Sequence, residues 1–453
     1  MAALLGLLTV PALAPGQRAE LEKRIQRKVL PNGLEVIVVP NSGVPLVTIE
    51  AAAKNGSFTQ DSSYSGLSHL YEHMFFKANR EYPDRDQFVE RASELGAEFN
   101  GQTQEEVVEY YITIPKDSVE PGLKFMDEAL EHPLFRQDEL ETERQVVIGE
   151  YDRDESEPGF AFDRAMSHAL WTTGWYRKDP LGDRAVIVST TPDKMRFIED
   201  RYYVPNNMAI IVAGDVTAPR AFVLADSIFG SWKRAPDPFT VAPIPPIPPL
   251  TKDTAIIEEA PIGAVAVEMQ WDGPSARSDV ASTYAADVFS DVLNRPGGKF
   301  QQHLVDSGLF ESLGVNYYTQ DHIGPITIEG QTSPEKLKAA LAALDSELIK
   351  VVKPGYITAD ELNATKQNRI VDAMFQLERA SGFAHQLAFW WAVTGMDYFF
   401  GYVDTMAKQT PDDLRRYANK YIVGKPRVVG VLLPPGVRQS LNLTRADLLR
   451  RAK

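Results

Sequence analysis

Two histidines four residues apart, with a glutamate beside the second, are the side chains in this sequence best spaced to do chemistry: His69-Leu70-Tyr71-Glu72-His73. On a helix, residues four apart stand only about 40° apart around the axis, so both imidazoles leave one face and can reach a single ion. Glu72 would sit on the adjoining flank, close enough to take a proton from a metal-bound water without itself becoming a ligand. Zinc suits such a set, because it accepts imidazole and carboxylate ligands and in catalytic sites keeps a position open beside three protein ligands. The third ligand must come from elsewhere in the chain, and Glu150, on an expected helix over 138–153, is the best candidate. Glu143 lies seven residues earlier on the same helical face. It could hold the second ring nitrogen of a histidine and fix its tautomer. The expectation is one zinc ion per chain, held by His69, His73 and Glu150, with Glu72 as the base. The chain has only seven histidines in 453 residues, so the five-residue pattern arises by chance on the order of once in a hundred such chains.

These side chains need elements to hold them. Ser65 is expected to cap a helix over 66–78, since no proline interrupts the turns after it. Further helices are expected over 85–96 and 118–131, with strands near 46–53, 107–114 and 209–213. Val29 to Val38 carries Asn32-Gly33, the signal of a tight hairpin between two strands. The second half mixes elements in the same way, with strands near 254–259, 264–271 and 326–332, so an α+β architecture fits both halves. Between them, 235–250 holds so many prolines that it reads as an extended linker. The halves also close alike. Thr191-Pro192-Asp193 opens a helix that leads to Tyr203 and a strand, and Thr410-Pro411-Asp412 leads to Tyr421 and another, which predicts a duplicated domain. The expected division is an N-terminal segment 1–22, a metal-bearing domain 23–234, the linker 235–250, and a second homologous domain 251–453 without a metal motif.

Composition narrows the function. A formal charge of -15 repels nucleic acid and anionic membranes, and no basic patch offsets it. The chain has no cysteine, which removes disulfides and thiolate ligands and leaves His, Asp and Glu for any metal. Residues 1–14 are apolar and end in Ala12-Leu13-Ala14, like the later part of a secretory signal, although a basic start is missing and Pro11 interrupts the run. Export, to the periplasm for instance, is the expectation, with a cytoplasmic location as the alternative. No other stretch approaches the ~18 apolar residues needed to span a bilayer, so no stable membrane insertion is expected.

The sequence resembles the pitrilysin or insulinase family of inverted-motif zinc peptidases. Gly66-Leu67-Ser68-His69-Leu70-Tyr71-Glu72-His73-Met74 looks like that family's metal helix, and Glu143 through Glu150 looks like the segment that supplies its third ligand. Phe99-Asn100-Gly101-Gln102-Thr103 resembles its active-site strand, and Tyr203 to Asn207 through Gly214-Asp215-Val216 resembles the close of its first domain. The resemblance implies two homologous α/β-sandwich-like domains forming a clamshell around a chamber. Within it, a peptide would bind in extended form against a sheet edge, with Asn100 touching the substrate.

One stretch departs from the family. Active members carry an arginine and, seven residues on, a tyrosine in a glycine-containing segment of the second half that assists substrate binding. The matching stretch here, His303 to Ser312, has neither. Tyr317 and Tyr318 lie nearby but read as ordinary sheet residues. The resemblance then implies the zinc-bearing subunit of a heterodimer, similar to mitochondrial processing peptidase and its bacterial relatives, in which a homologous partner supplies the missing pair. Phe389-Trp390-Trp391 could contribute to such a contact, though a buried helix is the stronger reading. Two other functions remain open: a non-catalytic scaffold or assembly subunit of the same fold, and a metal-dependent hydrolase acting on something other than peptides.

Overall fold

The computed structural model describes residues 17–451. The apolar segment 1–14 lies outside them.

In the first half the strands alternate between two apolar faces, and the sheet is therefore covered on both. Its strands are β1 (Gln26–Val29), β2 (Glu35–Pro40), β3 (Leu46–Ala53), β4 (Glu98–Thr103), β5 (Val108–Pro115) and β6 (Met208–Gly214), in the order β1-β2-β6-β3-β5-β4. Asn32-Gly33 does form the turn of the β1–β2 hairpin, with Gly33 at a φ of 96° that a larger side chain adopts only under strain. Val47, Ile49 and Ala51 of β3, with Tyr110 and Ile112 of β5 and Ile210 and Val212 of β6, face the helices of their own half and form its core.

The second half repeats this plan. Strands β7 (Thr254–Glu259), β8 (Val265–Asp272), β9 (Ser312–Tyr317), β10 (Pro325–Thr332) and β11 (Val428–Leu433) lie in the order β7-β11-β8-β10-β9. With β1 set aside, the two orders are the same. In each sheet the strand that closes the half, β6 or β11, runs parallel to its neighbour on one side and antiparallel to the other. The Thr-Pro-Asp signals open the helices Pro192–Tyr202 and Pro411–Tyr421, each leading to that closing strand.

The other face of each sheet is covered by a helix lent from the opposite half. The helix Ala380–Val393 lays Phe383, Ala384, Leu387, Ala388 and Trp391 on Ile37, Val39, Ala52, Ala209 and Ile211 of the first sheet. Reciprocally, the helix Phe160–Trp171 lays Phe162, Met166 and Leu170 against Val428 and Leu432 of the second. Gly430 makes the second packing possible, because a Cβ there would come within 2.3 Å of the Met166 sulfur. Trp391 is thus a buried core residue, its indole N–H donating to Glu35 at 2.9 Å. We call these two segments the crossing helices.

The proline-rich stretch departs from a plain extended spacer. Asp237 caps a single helical turn, Pro238–Val241, by accepting from the backbone N–H groups of Phe239 and Thr240. Downstream, Ile247 and Leu250 are buried beside the crossing helix Phe160–Trp171. Prolines cannot give their own N–H groups to a sheet, but they do not prevent the apolar residues between them from anchoring the segment.

Candidate metal centre

The helix Leu67–Phe75 buries Leu67, Leu70, Tyr71 and Met74, a spacing of three and four residues that turns one face into the core. The remaining face carries His69, Glu72 and His73. Its start differs from the sequence expectation, because Ser65 does not cap it. The capping position is Gly66, in the left-handed region at a φ of 86°, and its N–H donates to Gln60 at 2.6 Å. A Cβ on Gly66 would meet the Leu181 carbonyl oxygen at 2.7 Å. The chain turns too tightly here for the serine hydroxyl to reach the first free N–H groups.

His69 and His73 bring their Nε2 atoms to 3.3 Å of one another. Glu150, on the helix Gln137–Glu155, places its Oε2 3.5 Å from each. Three donors in a near-equilateral triangle with these edges fit a tetrahedral ion, since metal–ligand bonds of about 2.0–2.1 Å require donor separations of about 3.3 Å. The next shell is equally specific. Glu143 accepts from His73 Nδ1 at 3.3 Å and holds Lys77 Nζ at 2.8 Å. Burial opposes ionisation of Glu143, but these two donors outweigh it and keep its carboxyl below the usual range. Among the described residues, His69 has no such outer partner. Burial, reinforced by His73, pushes its pKa down to about 4, so it stands as a neutral imidazole.

Glu72 is buried beside the triangle, and its Oε2 accepts from the Thr103 hydroxyl at 2.8 Å. Burial raises its pKa, a direction that favours a group alternating between base and acid. Thr103 ends β4, which is the edge of the first sheet. Gly101, in the same strand, leaves the space that Glu72 fills: a Cβ there would lie 2.9 Å from Glu72 Cγ. Asn100 stands on β4 at the mouth of the same cleft, about 420 Å³ in volume, with its side chain turned to the Gly101 N–H at 2.9 Å.

Comparison with known proteins places this geometry in a family. Residues 36–183 match the model of the insulinase family, peptidase family M16, and residues 190–369 match that of the peptidase M16 inactive domain. The chain belongs to the insulinase family. Zinc protease PqqE of Helicobacter pylori is 26% identical over 432 residues, 92% of this chain and 95% of that protein. The uncharacterized zinc protease YmxG of Bacillus subtilis is 26% identical over 360 residues, 78% of this chain and 85% of the relative. Among solved structures, a protease from Helicobacter pylori superimposes with a TM-score of 0.79 at 22% identity, covering 90% of this chain and 99% of its own. The first half of the periplasmic protease PqqL from Escherichia coli gives 0.77 at 17% identity, covering 94% and 95%. These structural likenesses establish the shared fold.

The inactive domain of this insulinase-family chain carries an instructive counterpart to the triangle. On the helix Val280–Asn294, which comes after β8 as the histidine helix comes after β3, Asp287 and Asp291 stand four apart. The space between them and the helix Ala359–Phe375 is taken by Arg369, bidentate to Asp291 and hydrogen-bonded to Tyr402, whose hydroxyl donates to Asp287 at 2.6 Å. A guanidinium fixed in this way supplies the positive charge internally and leaves no open position for an ion.

The structure therefore brings His69, His73, Glu150, Glu72, Glu143 and Asn100 into one cleft. Sequence reasoning missed Lys77, Thr103 and the space-making role of Gly101. Lys77 had a signal, falling four residues beyond His73 within the helix expected over 66–78, although the helix itself ends at Phe75. Tyr317 is a buried strand residue, whereas Tyr318 reaches across the halves to donate to Gln104 at 2.7 Å.

Proposed function

We propose that the chain is a zinc-dependent endopeptidase with one zinc ion held by His69, His73 and Glu150. The reading rests on one observation: three metal-type donors converge beside a buried carboxylate and against an open sheet edge. When bound, the ion would polarise a peptide carbonyl and acidify a water molecule. Glu72, steered by the Thr103 hydroxyl, takes the water proton and later delivers it to the leaving amine. Glu143, fixed by Lys77, keeps the proton of His73 on Nδ1 and so leaves Nε2 free to donate its lone pair. β4 offers its outer edge to an extended peptide, which would add as a further strand, with Asn100 positioning it. The names of the relatives, zinc proteases, support this chemistry.

The stretch His303 to Ser312 lacks the arginine and tyrosine expected of an active second half, and the paired aspartates Asp287 and Asp291 are internally satisfied by Arg369 and Tyr402. The active form is accordingly a heterodimer in which a homologous subunit supplies those groups. The periplasmic location of PqqL of Escherichia coli supports export, and among the described residues no helix is long and apolar enough to cross a membrane.

The test is direct. Glu72→Gln should retain about one zinc per chain and lose peptide hydrolysis, while His73→Ala should lose both. A fully active Glu72→Gln enzyme removes the assigned base. Hydrolysis measured on the chain alone and with a co-purifying homologous subunit separates the heterodimer from its rivals: a chain that binds zinc and cleaves no peptide in either state is a scaffold if it is also inert to a panel of non-peptide substrates, and a hydrolase of another class if it is not.

A further inference from the structure

Where the crossing helix Ala380–Val393 covers the first sheet, it also covers charge. Glu50 of β3 and Glu109 of β5 point to that face and are 0% and 2% exposed. His385 reaches them from the crossing helix, 335 residues after Glu50, with Nδ1 2.7 Å from Glu50 Oε2. One donor atom from each of the three falls within 4.8 Å of the others. The rest of the environment does not balance them. Oε1 of Glu50 and Oε1 of Glu109 are buried with no hydrogen-bond partner, and among the described residues no lysine or arginine is within ion-pair distance of either carboxylate. Burial raises both carboxyls, Glu109 to about 9, so without a metal the two are held only by sharing a proton with one another, and a neutral imidazole supplies no counter-charge.

We propose that Glu50, Glu109 and His385 form a second divalent-cation site that ties the crossing helix of one half to the sheet of the other. With their protons released on binding, two carboxylates and one imidazole carry a total charge of −2 and match a borderline divalent ion of the Zn²⁺ or Mn²⁺ class. Such an ion takes one oxygen from each carboxylate, displaces the proton they share and replaces the His385–Glu50 hydrogen bond by two metal bonds. Entry is possible along His385, whose side chain is one-third exposed. The opposite seam differs in kind. There Asp163 of the other crossing helix stands over Glu268 and Glu329, three acids with no imidazole. Among the described residues, the metal-type donor set at these seams belongs to the first sheet.

The experiment uses the full chain with the first centre removed, His69→Ala/His73→Ala/Glu150→Gln, so its outcome is independent of the proposed peptidase reaction. The protein is loaded with Zn²⁺ or Mn²⁺, passed through metal-free buffer and assayed for bound metal. About one ion per chain is expected, together with a higher melting temperature than in chelator. Adding Glu50→Gln/Glu109→Gln, which keeps shape and removes charge, should abolish both effects while circular dichroism stays unchanged. Retention of no metal, or retention unaffected by the glutamine pair, overturns the site; the carboxyls then share a proton only. Should the glutamine variant fail to fold, anomalous scattering at the metal edge from crystals of the triple variant decides the matter. A peak between the three side chains supports the site, and its absence refutes it.

Discussion

Replacing Lys77 with methionine removes one of the two donors that hold Glu143, and the geometry sets the size of the effect. The Lys77–Glu143 pair spans 2.8 Å with both side chains less than one-tenth exposed. Deleting one partner of a buried ion pair costs about 3–5 kcal/mol, because the survivor stays charged and unpaired. Since His73 still donates to Glu143, the lower end, about 3 kcal/mol, is expected. Zinc affinity should fall by less than about tenfold, because the outer partner of His73 remains in place. Glu143→Leu reverses the balance: it removes that partner and should weaken zinc binding by about 10- to 100-fold. The double variant Lys77→Met/Glu143→Leu separates the two effects. An apolar pair of similar volume in place of a buried ion pair is close to neutral in stability, so the lost stability should return while zinc binding remains weak. Amide hydrogen exchange of the helix Leu67–Phe75 reads the local stability in metal-free protein, and competition against a chelator reads the affinity. A double variant as unstable as Lys77→Met alone, or a Glu143→Leu protein that binds zinc like the wild type, would refute the assignment of Glu143 as the buried, lysine-held partner of His73.

Gly101→Ala places a Cβ 2.9 Å from Glu72 Cγ and 3.2 Å from the Glu109 carbonyl oxygen; peptide turnover should drop about 100-fold for a displacement near 1 Å, with zinc content unchanged by metal analysis. Glu268, under the crossing helix Phe160–Trp171, has its pKa raised to about 7 by burial first and by Asp163 and Glu329 next. A carboxyl raised from 4.5 in this way binds its proton more tightly in the folded state, so the stability it permits is intact below pH 4.5 and lost as pH climbs through about 7. Glu268→Gln should therefore raise the melting temperature at pH 8 and leave it nearly unchanged at pH 4.5, and an equal gain at both would contradict the cause. Arg369→Met leaves Asp287 and Asp291 facing one another without their guanidinium and should cost about 3 kcal/mol, measured as a lowered unfolding midpoint in urea.

Much of the centre was legible because helical periodicity is local. His69 to His73, and Glu143 to Glu150, each declare a common face within two turns, and the apolar residues between them declare which face is buried. Strand positions such as Leu46–Ala53 could be placed from their apolar runs. Ser65 misled because capping preference assumes an ordinary turn, whereas Gly66 enters the helix from the left-handed region. Partners set by tertiary contact could not be read. Thr103 meets Glu72 only because β4 lies beside the histidine helix, and nothing in the pattern of Phe389-Trp390-Trp391 says that their helix crosses to the sheet of the other half.

That exchange of helices bears on how the centre works. β3 carries Val47, Ile49 and Ala51 toward the core under the helices of its own half, but Ala52 and Glu50 toward the helix Ala380–Val393. The strand is thus clamped from both sides, once by its own half and once by the other. β5 is clamped in the same way, and β4 pairs with β5 along its whole length. Glu72 is steered by Thr103 and given room by Gly101, both in β4, so the position of the proposed base depends on a sheet whose far face is covered from the second half. A second half that has filled its own metal-like niche with Arg369 would still have a structural part in the proposed reaction, because it holds the rear of the sheet against which the base and an extended peptide would be aligned.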